Sequence, residues 1–446
     1  MPKITIREID NTGSEASEYL DYTVLVPGIA LIILDDDGVA TEEYFSGLIT
    51  DKTQFDKLVP FNNKTDDIGY LAAVEFVKRG LSVYYESAYT VNSKNEQVLI
   101  ESSYAKLFSK FTDKGRYDLR FITIGGLNVL DDSNESGSAD ETPQSSVAAL
   151  LCAGERGDAV AVLSAPEKAP ILNDSSNLYE EKNLLKNSAD LDKWVQQEFK
   201  AVAMTGITRK GVSWKSTTET YGTYGTMFNP PITTKIVVNN TSKTITLPGW
   251  FNYIVTFAKF STSFPDWFAT SGSVRGVSPY DITTNYDFGD ADIDILQKRS
   301  AERDDDQNHI ATNVVCTIRP YGKIIWGART MHPLSKPVNS DAYCLQASSF
   351  LNIRQACCIL KKTLYRASRR YTFEPNSDTL WVNFKSDITP LLEKMKANQG
   401  IRGYQLIRQK TNKKALLVAR IVITPIEPVE DFDLTVEMTD TIEINE

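Results

Sequence analysis

The sequence predicts a multidomain protein of α/β and α+β class. A first region is built on a mainly parallel sheet, a C-terminal α+β domain follows, and an extended arm lies at each end. Three observations predict this. Strand and helix patterns alternate from Tyr22 to Phe199, as in a parallel sheet covered by helices. Beyond about residue 307 the order becomes strands, a long amphipathic helix, a second helix and a hairpin. Both ends of the chain alternate apolar and polar residues, as lone strands do. A length of 446 residues suits roughly three domains.

The elements follow in order. Ile4 and Ile6 alternate with Thr5 and Arg7 until Asn11-Thr12-Gly13-Ser14 breaks the pattern, so residues 1–20 form an arm. Residues 22–34 make a buried strand interrupted at Pro27-Gly28, and Asp35-Asp36-Asp37-Gly38 a turn. Residues 66–79 form a helix with Ala72, Ala73, Phe76 and Val77 on one side, stopped by Gly80. Strands at 81–86, 118–124 and 159–163 alternate with helices at 104–111, 143–154 and 190–199. Residues 131–141, rich in Asp, Ser, Gly and Glu, read as a surface loop. Residues 206–231 carry no clear element. A hairpin at 236–238 and 244–247 and a helix at 249–260 come next. The charged stretch 287–306 holds the boundary between an α/β region, 21–306, and a C-terminal domain, 307–426.

That last domain opens with strands at 313–319 and 324–327, joined by Pro320-Tyr321-Gly322. A long helix spans about 344–370. Phe350, Ile353, Cys357, Leu360 and Leu364 repeat at 3-4 spacing on its buried face, with Lys362, Arg366, Arg369 and Arg370 opposite. A second helix covers 388–398, capped by Ser386 or Asp387, with Pro390 in its first turn and Gly400 past its end. Strands at 403–409 and 416–424 turn at Asn412-Lys413. An acidic arm, 427–446, closes the chain, alternating Phe432, Leu434, Val436 and Met438 with polar residues.

Charge is unevenly spread. The chain holds 48 basic and 58 acidic residues. Residues 311–426 carry 19 basic and 5 acidic residues, the tail 427–446 carries 8 acidic and no basic residues, and 1–310 is net −16. Such asymmetry implies a partner for the basic part. The basic helix face could meet nucleic acid or an acidic protein, but no nucleic-acid-binding motif surrounds it, and no direct nucleic-acid contact is expected. No apolar run is long enough to span a membrane, and Met1-Pro2-Lys3-Ile4-Thr5 lacks an apolar signal segment, so a cytoplasmic site of synthesis and folding is expected. The five cysteines, Cys152, Cys316, Cys344, Cys357 and Cys358, show no C-x-x-C spacing and read as reduced, mostly buried thiols.

Motifs for catalysis are weak. His309 and His332 stand apart, and no nucleophile elbow, zinc-protease helix or phosphate loop is present. Gly125-Gly126 lacks dinucleotide spacing and reads as a tight turn. Asp304-Asp305-Asp306 reads as a solvated linker, and Arg156-Gly157-Asp158 as a turn rather than an adhesion tripeptide. No catalytic residue, metal site or cofactor is expected. A nucleotide-dependent α/β enzyme would need a phosphate loop, and Asp35-Asp36-Asp37-Gly38 has the wrong charge for one. A nucleic-acid-binding structural protein is the other reading of a different class.

Ile325-Trp326-Gly327-Ala328-Arg329-Thr330 is followed by Ser349-Phe350-Leu351-Asn352-Ile353-Arg354 and Thr372-Phe373-Glu374-Pro375-Asn376. Leu380-Trp381-Val382-Asn383-Phe384, Ile401-Arg402-Gly403-Tyr404 and Glu430-Asp431-Phe432-Asp433-Leu434-Thr435-Val436 complete the series. This order and spacing resembles the C-terminal domain of contractile tail sheath proteins of bacteriophages. Asp113-Lys114-Gly115-Arg116-Tyr117-Asp118, Glu155-Arg156-Gly157-Asp158 and Trp267-Phe268-Ala269-Thr270-Ser271-Gly272 resemble the family's outer region.

The resemblance implies a structural subunit that polymerises as stacked hexameric rings around a tail tube. The sheath then contracts on energy stored in the extended lattice. It also implies an outer α/β region with surface insertions at 131–141 and 206–246, an inner C-terminal domain, and arms that add strands to neighbours. Expected partners are the chain itself, the tube protein, and baseplate and tail terminator proteins, in a virion. The sheath of a phage-derived, bacteriocin-type injection particle fits equally. Ile4, Ile6, Phe432, Leu434, Val436 and Met438 are the expected arm contacts. Arg354, Lys361, Lys362, Arg366, Arg369 and Arg370, or Lys394 and Lys396, are the expected tube- or neighbour-facing residues.

Overall fold

The computed structural model describes residues 22–28, 31–34, 40–43, 46–51, 53, 67–91, 97–127, 144–173, 175–176, 178–207, 219–238, 241–297, 308–335, 347–410 and 415–429. The expected arms apart from residues 427–429, the turn at 35–38, the loop at 131–141 and the triple aspartate lie outside them.

An eight-stranded sheet draws its strands from residues 23–326. Its strands are β1 (Thr23–Gly28), β2 (Ser46–Ile49), β3 (Ser82–Ser87), β4 (Phe121–Ile122), β5 (Val160–Leu163), β6 (Gly225–Asn229), β7 (Asn313–Ile318) and β8 (Gly322–Trp326), in the order β8-β7-β6-β5-β4-β1-β3-β2. The six inner strands are parallel, and an antiparallel strand closes each edge. Strands buried on both faces need near-continuous apolar character. Thr23-Val24-Leu25-Val26 and Val160-Ala161-Val162-Leu163 have it, and all are buried.

Helices α1 (Ile68–Lys78), α2 (Gln144–Arg156), α3 (Ser188–Met204) and α4 (Gly249–Ser261) belong to the same region and share its core. The start of α1 is fixed by Asp67, whose carboxylate accepts from Gly69 N at 2.9 Å. Gly80 follows its end at φ +79°, as the sequence predicts. Apolar rings fill the space between α4 and the sheet, with Phe228 stacked on Tyr253 and Phe121 edge-on to Phe257.

Two expectations change here. β6 lies inside the stretch read as an outer insertion, yet it is fully buried between β5 and β7. The boundary placed at 306/307 also misses the break in the architecture. β7 and β8 extend the large sheet, because Val314, Val315, Cys316 and Ile325 complete its core. A second core gathers Trp267, Ala356, Leu360, Phe384, Ile388, Leu392, Met395 and Ile401. It forms around α5 (Leu351–Arg370), α6 (Asp378–Ala397) and the hairpin β9 (Ile401–Gln409) and β10 (Val418–Pro425).

Both terminal helices differ in extent from their sequence patterns. α5 begins at Leu351 after a 3₁₀ turn at Ala347–Ser349. α6 begins ten residues earlier than expected. Ser377 is its N-cap and accepts from Leu380 N at 3.2 Å, so Ser386 and Asp387 are interior. Pro390 sits inside the helix and withdraws one N–H from the ladder. Leu380, Phe384, Ile388, Leu392 and Met395 are buried along one stripe, and their packing outweighs that lost rung.

The Gly125-Gly126 turn closes the C-terminal end of β1, where open parallel sheets ordinarily receive ligands. Gly126 N donates to Pro27 O at 2.8 Å, and Gly125 has φ +56°. A Cβ on Gly125 would sit 1.7 Å from Pro27 O, and one on Gly69 2.3 Å from the same atom. The main chain thus fills the space a phosphate would need. Gly125→Ala should cost about 3 kcal/mol, from backbone overlap and left-handed strain. Urea denaturation of the purified chain checks this, and an unchanged midpoint would contradict the close approach.

Candidate assembly interface

The expected interface residues divide by where α5 and α6 place them. α5 lies between the two cores: Leu351 and Cys358 join the sheet core, while Ala356 and Leu360 join the second. Cys357, expected on the buried face, is only half-buried, and Cys358 is buried instead. Burial pushes the Cys358 thiol up to about 11 and that of Cys152 up to about 12, which leaves both thiols protonated and unreactive.

The face of α5 expected to point outward instead grips the sheet region. Lys362 donates to the Asp118 carboxylate and, at 2.7 Å, to Leu119 O. Arg366 donates to the other oxygen of Asp118. Lys361 reaches Gly157 O at 3.2 Å, Glu219 Oε1 at 3.2 Å, and the Tyr224 hydroxyl. Long cationic side chains lie along apolar surface and place their heads at polar groups at its edge. Burial pushes the Asp118 carboxyl up, but the charge and hydrogen bond of Lys362, with Arg366 beyond, outweigh it and hold it below the usual carboxylate range.

Arg354 is buried with its guanidinium 4.5 Å over the Tyr224 ring. Among the described residues no carboxylate pairs with it, and its Nε has no hydrogen-bond partner. Arg354, Lys361, Lys362 and Arg366 are therefore engaged within the subunit, Arg354 buried and the other three half-buried.

Deeper contacts complete the clasp. Arg120 pairs with Asp266 at 2.9 Å, both buried, and Tyr22 donates to the same carboxylate at 3.0 Å. Arg120 also donates to Gln355 Oε1 at 3.4 Å, and Gln355 in turn donates to the Tyr253 hydroxyl. Arg156-Gly157-Asp158 is the floor of this region. Arg156 is fully buried, forks onto Asp158 at 3.0 and 3.1 Å, and donates to Phe111 O and Tyr117 O. Trp267 ties in the second core. Its indole donates to Asn398 O at 2.9 Å, and its carbonyl accepts from Asn352 at 3.1 Å. Of the histidines, His309 is buried 3.8 Å from Asp192, and His332 lies 3.3 Å from Thr220 Oγ1.

Other expected residues do face outward. Arg369 and Arg370 are exposed in the last turn of α5, and Arg370 reaches Asp387 at 2.9 Å. Lys394 and Lys396 are exposed in the last turn of α6. The hairpin β9–β10 packs Tyr404, Ala419, Ile421 and Ile423 against the second core, and Arg408 ties it to Asp378 at 2.7 Å. It is a two-stranded sheet among the described residues, so each strand offers an unpaired edge. A register irregularity between Ile401 and Gly403 interrupts the ladder at Arg402. Ile4, Ile6, Phe432, Leu434, Val436 and Met438 lie outside the described residues. Among those described, no group of His, Cys, Asp and Glu could hold a metal, and no helix is long and apolar enough to cross a membrane.

Residues 346–439 match the family model described as phage tail sheath C-terminal domain. No curated protein matches the sequence. Among solved structures, the chain is similar to the sheath complex of an extracellular contractile injection system, PVC, in its contracted state. That likeness has 13% identity and a TM-score of 0.60, covering 99% of this chain and 98% of that one. It is also similar to a chain of the anti-feeding prophage baseplate in its contracted state, at 13% identity and TM-score 0.58, covering 98% of each chain. The contracted helical sheath of the same particle matches at 12% identity and TM-score 0.52, over 99% of this chain and 100% of that one. The fold is that of contractile sheath proteins, and the sequence resemblance holds independently over the C-terminal domain.

Asp118→Asn should destabilise the chain by about 2–3 kcal/mol at neutral pH, since it leaves two cations without their carboxylate. A depressed carboxyl contributes stability above its unfolded-state pKa, and that stability fades as pH falls through the folded value. The difference between wild type and variant in urea denaturation should therefore shrink below about pH 4. A pH-independent difference would contradict the electrostatic role.

Proposed function

We propose that this chain, with a sheath fold and a phage sheath C-terminal domain, is the structural subunit of a contractile tail sheath. It polymerises as stacked hexameric rings around a tail tube and contracts on energy stored in the extended lattice, with no nucleotide consumed. The carrying observation is the coincidence of two independent matches: a sequence-level match over residues 346–439 and a fold likeness over the whole chain. The sheath of a phage and that of a phage-derived injection particle use one subunit design, so both settings fit this chain. Its partners are further copies of itself and baseplate proteins, with the tube and tail terminator completing the particle.

The geometry supports specific roles. The two open edges of β9–β10 suit strands donated by neighbouring copies. In this reading the donors are the arms at 1–20 and 427–446. Ile4 and Ile6, or Phe432, Leu434, Val436 and Met438, supply the alternate side chains that bury against the hairpin, each worth about 1.5–3 kcal/mol. A paired strand holds neighbours together while the linker before it swings, so subunits rotate without separating. Lys394 and Lys396, together with Arg369, are the tube-facing candidates, because all three are exposed in the last turns of α6 and α5.

Two experiments test this reading. Deleting residues 1–18 should leave a folded, soluble chain that forms no striated tubes under negative stain at concentrations where the full chain does. Normal tubes from the truncated chain would exclude the donor arm. Reversing charge at Lys394 and Lys396 to Glu sets two negative charges in the last turn of α6, so it should cost about 1–2 kcal/mol and leave the chain folded. Capture of a co-expressed tube protein should then fall severalfold. Undiminished capture would exclude α6 as the tube contact.

A further inference from the structure

Phe373 combines two features that a folded chain ordinarily avoids. Its ring is 84% exposed, the most exposed of the large apolar side chains among the described residues. Its backbone has φ +73°, in the left-handed region where a Cβ crowds the following carbonyl. The residue lies just past α5, where Thr372 N bonds to Arg369 O at 3.2 Å and Glu374 N to Tyr371 O at 3.3 Å. Helix exits of this kind usually carry glycine or asparagine. Within one subunit, the phenyl ring therefore brings strain and exposure with little burial in return. Arg369 and Arg370 are exposed in the preceding turn, and Val382, 61% exposed, lies one turn into α6.

We propose that Phe373 is an anchor that inserts into an apolar, carboxylate-rimmed socket on a second copy of this chain. The chemistry of the anchor sets the chemistry of the socket: an aromatic ring flanked by arginines is the usual centre of a protein interface. The charge distribution favours a copy as the partner. Residues 311–426 hold 19 basic and 5 acidic residues, while residues 1–310 are net −16, so a head-to-tail contact sets a basic end on an acidic body. Burial of the ring offsets the backbone strain only when the neighbour is present, which explains why the strain persists. The anchor rests on the sheath reading, in which every copy is surrounded by copies.

Phe373→Gly and Phe373→Asn in the full chain separate folding from assembly, because both residues suit a left-handed backbone. The thermal midpoint of each variant should equal or exceed that of wild type. The critical concentration for polymer, read by sedimentation and negative stain, should rise about tenfold or more, the equivalent of losing one interface hot spot. A variant that polymerises at the wild-type concentration overturns the anchor. A lowered midpoint overturns it too, since the ring would then serve the fold. If wild type polymerises and the variants match it, the anchor alone fails. If wild type stays monomeric at every concentration, the sheath reading fails and the anchor with it.

Discussion

One carboxylate, Asp118, fixes how the two halves of this protein meet. It accepts from Lys362 and Arg366 on α5, three residues ahead of the sheet strand Phe121–Ile122. The buried Arg120–Asp266 pair lies two residues further along the chain, and Gln355 on α5 joins it. A helix between two apolar cores could slide along either, because apolar contact has no direction. Charge-assisted hydrogen bonds do have direction, and these set the register and azimuth of α5. Once α5 is fixed, α6 and the hairpin follow through the second core, and Trp267 fastens their far end.

This arrangement decides what the subunit can offer to others. Four of the cations on α5 are engaged with the sheet region, so the exposed positive charge of the C-terminal part lies on the last turn of α5, on Lys385, Lys394 and Lys396 of α6, and on the hairpin. Among the described residues, the two strands of that same hairpin pair only with each other. A lattice that stores energy needs rigid pieces joined by movable contacts, because packed cores switch between arrangements rather than stretch. In the sheath reading, the clasp at Asp118 supplies the rigid piece. In the same reading, the proposed arms and the exposed turns supply contacts that change partners while the strands stay paired.

The sequence made much of the fold legible and little of the clasp. Continuous apolar runs such as Val24-Leu25-Val26 announce parallel strands, and the 3-4 spacing through Phe350, Ile353 and Leu360 announces α5. β6 escapes because Gly225-Thr226-Met227-Phe228-Asn229 has two apolar residues among polar ones. Its Thr226 and Asn313 satisfy each other by hydrogen bonding rather than by apolar burial. Pro390 hides the first half of α6, since a proline usually marks a first turn and here lies mid-helix. The charged stretch before 307 resembles a linker, yet the strands beyond it complete the same sheet. Cations on a helix face read as solvated, and only the long-range placement of Asp118, Gly157 and Tyr224 shows that they are engaged. Pro375-Asn376-Ser377 announces a turn after α5, but neither the left-handed φ of Phe373 nor its exposure follows from the residue type.

The most direct test of a rigid subunit in a switching lattice is to image assembled particles in both states by cryo-electron microscopy. The distances from the Asp118 carboxylate to Lys362 Nζ and to the Arg366 guanidinium should be read in each. The account predicts that both stay within about 4 Å, the ion-pair range, in extended and contracted sheaths, with all rearrangement between subunits. Separation of α5 from Asp118 in either state would contradict it and place the moving joint inside the chain.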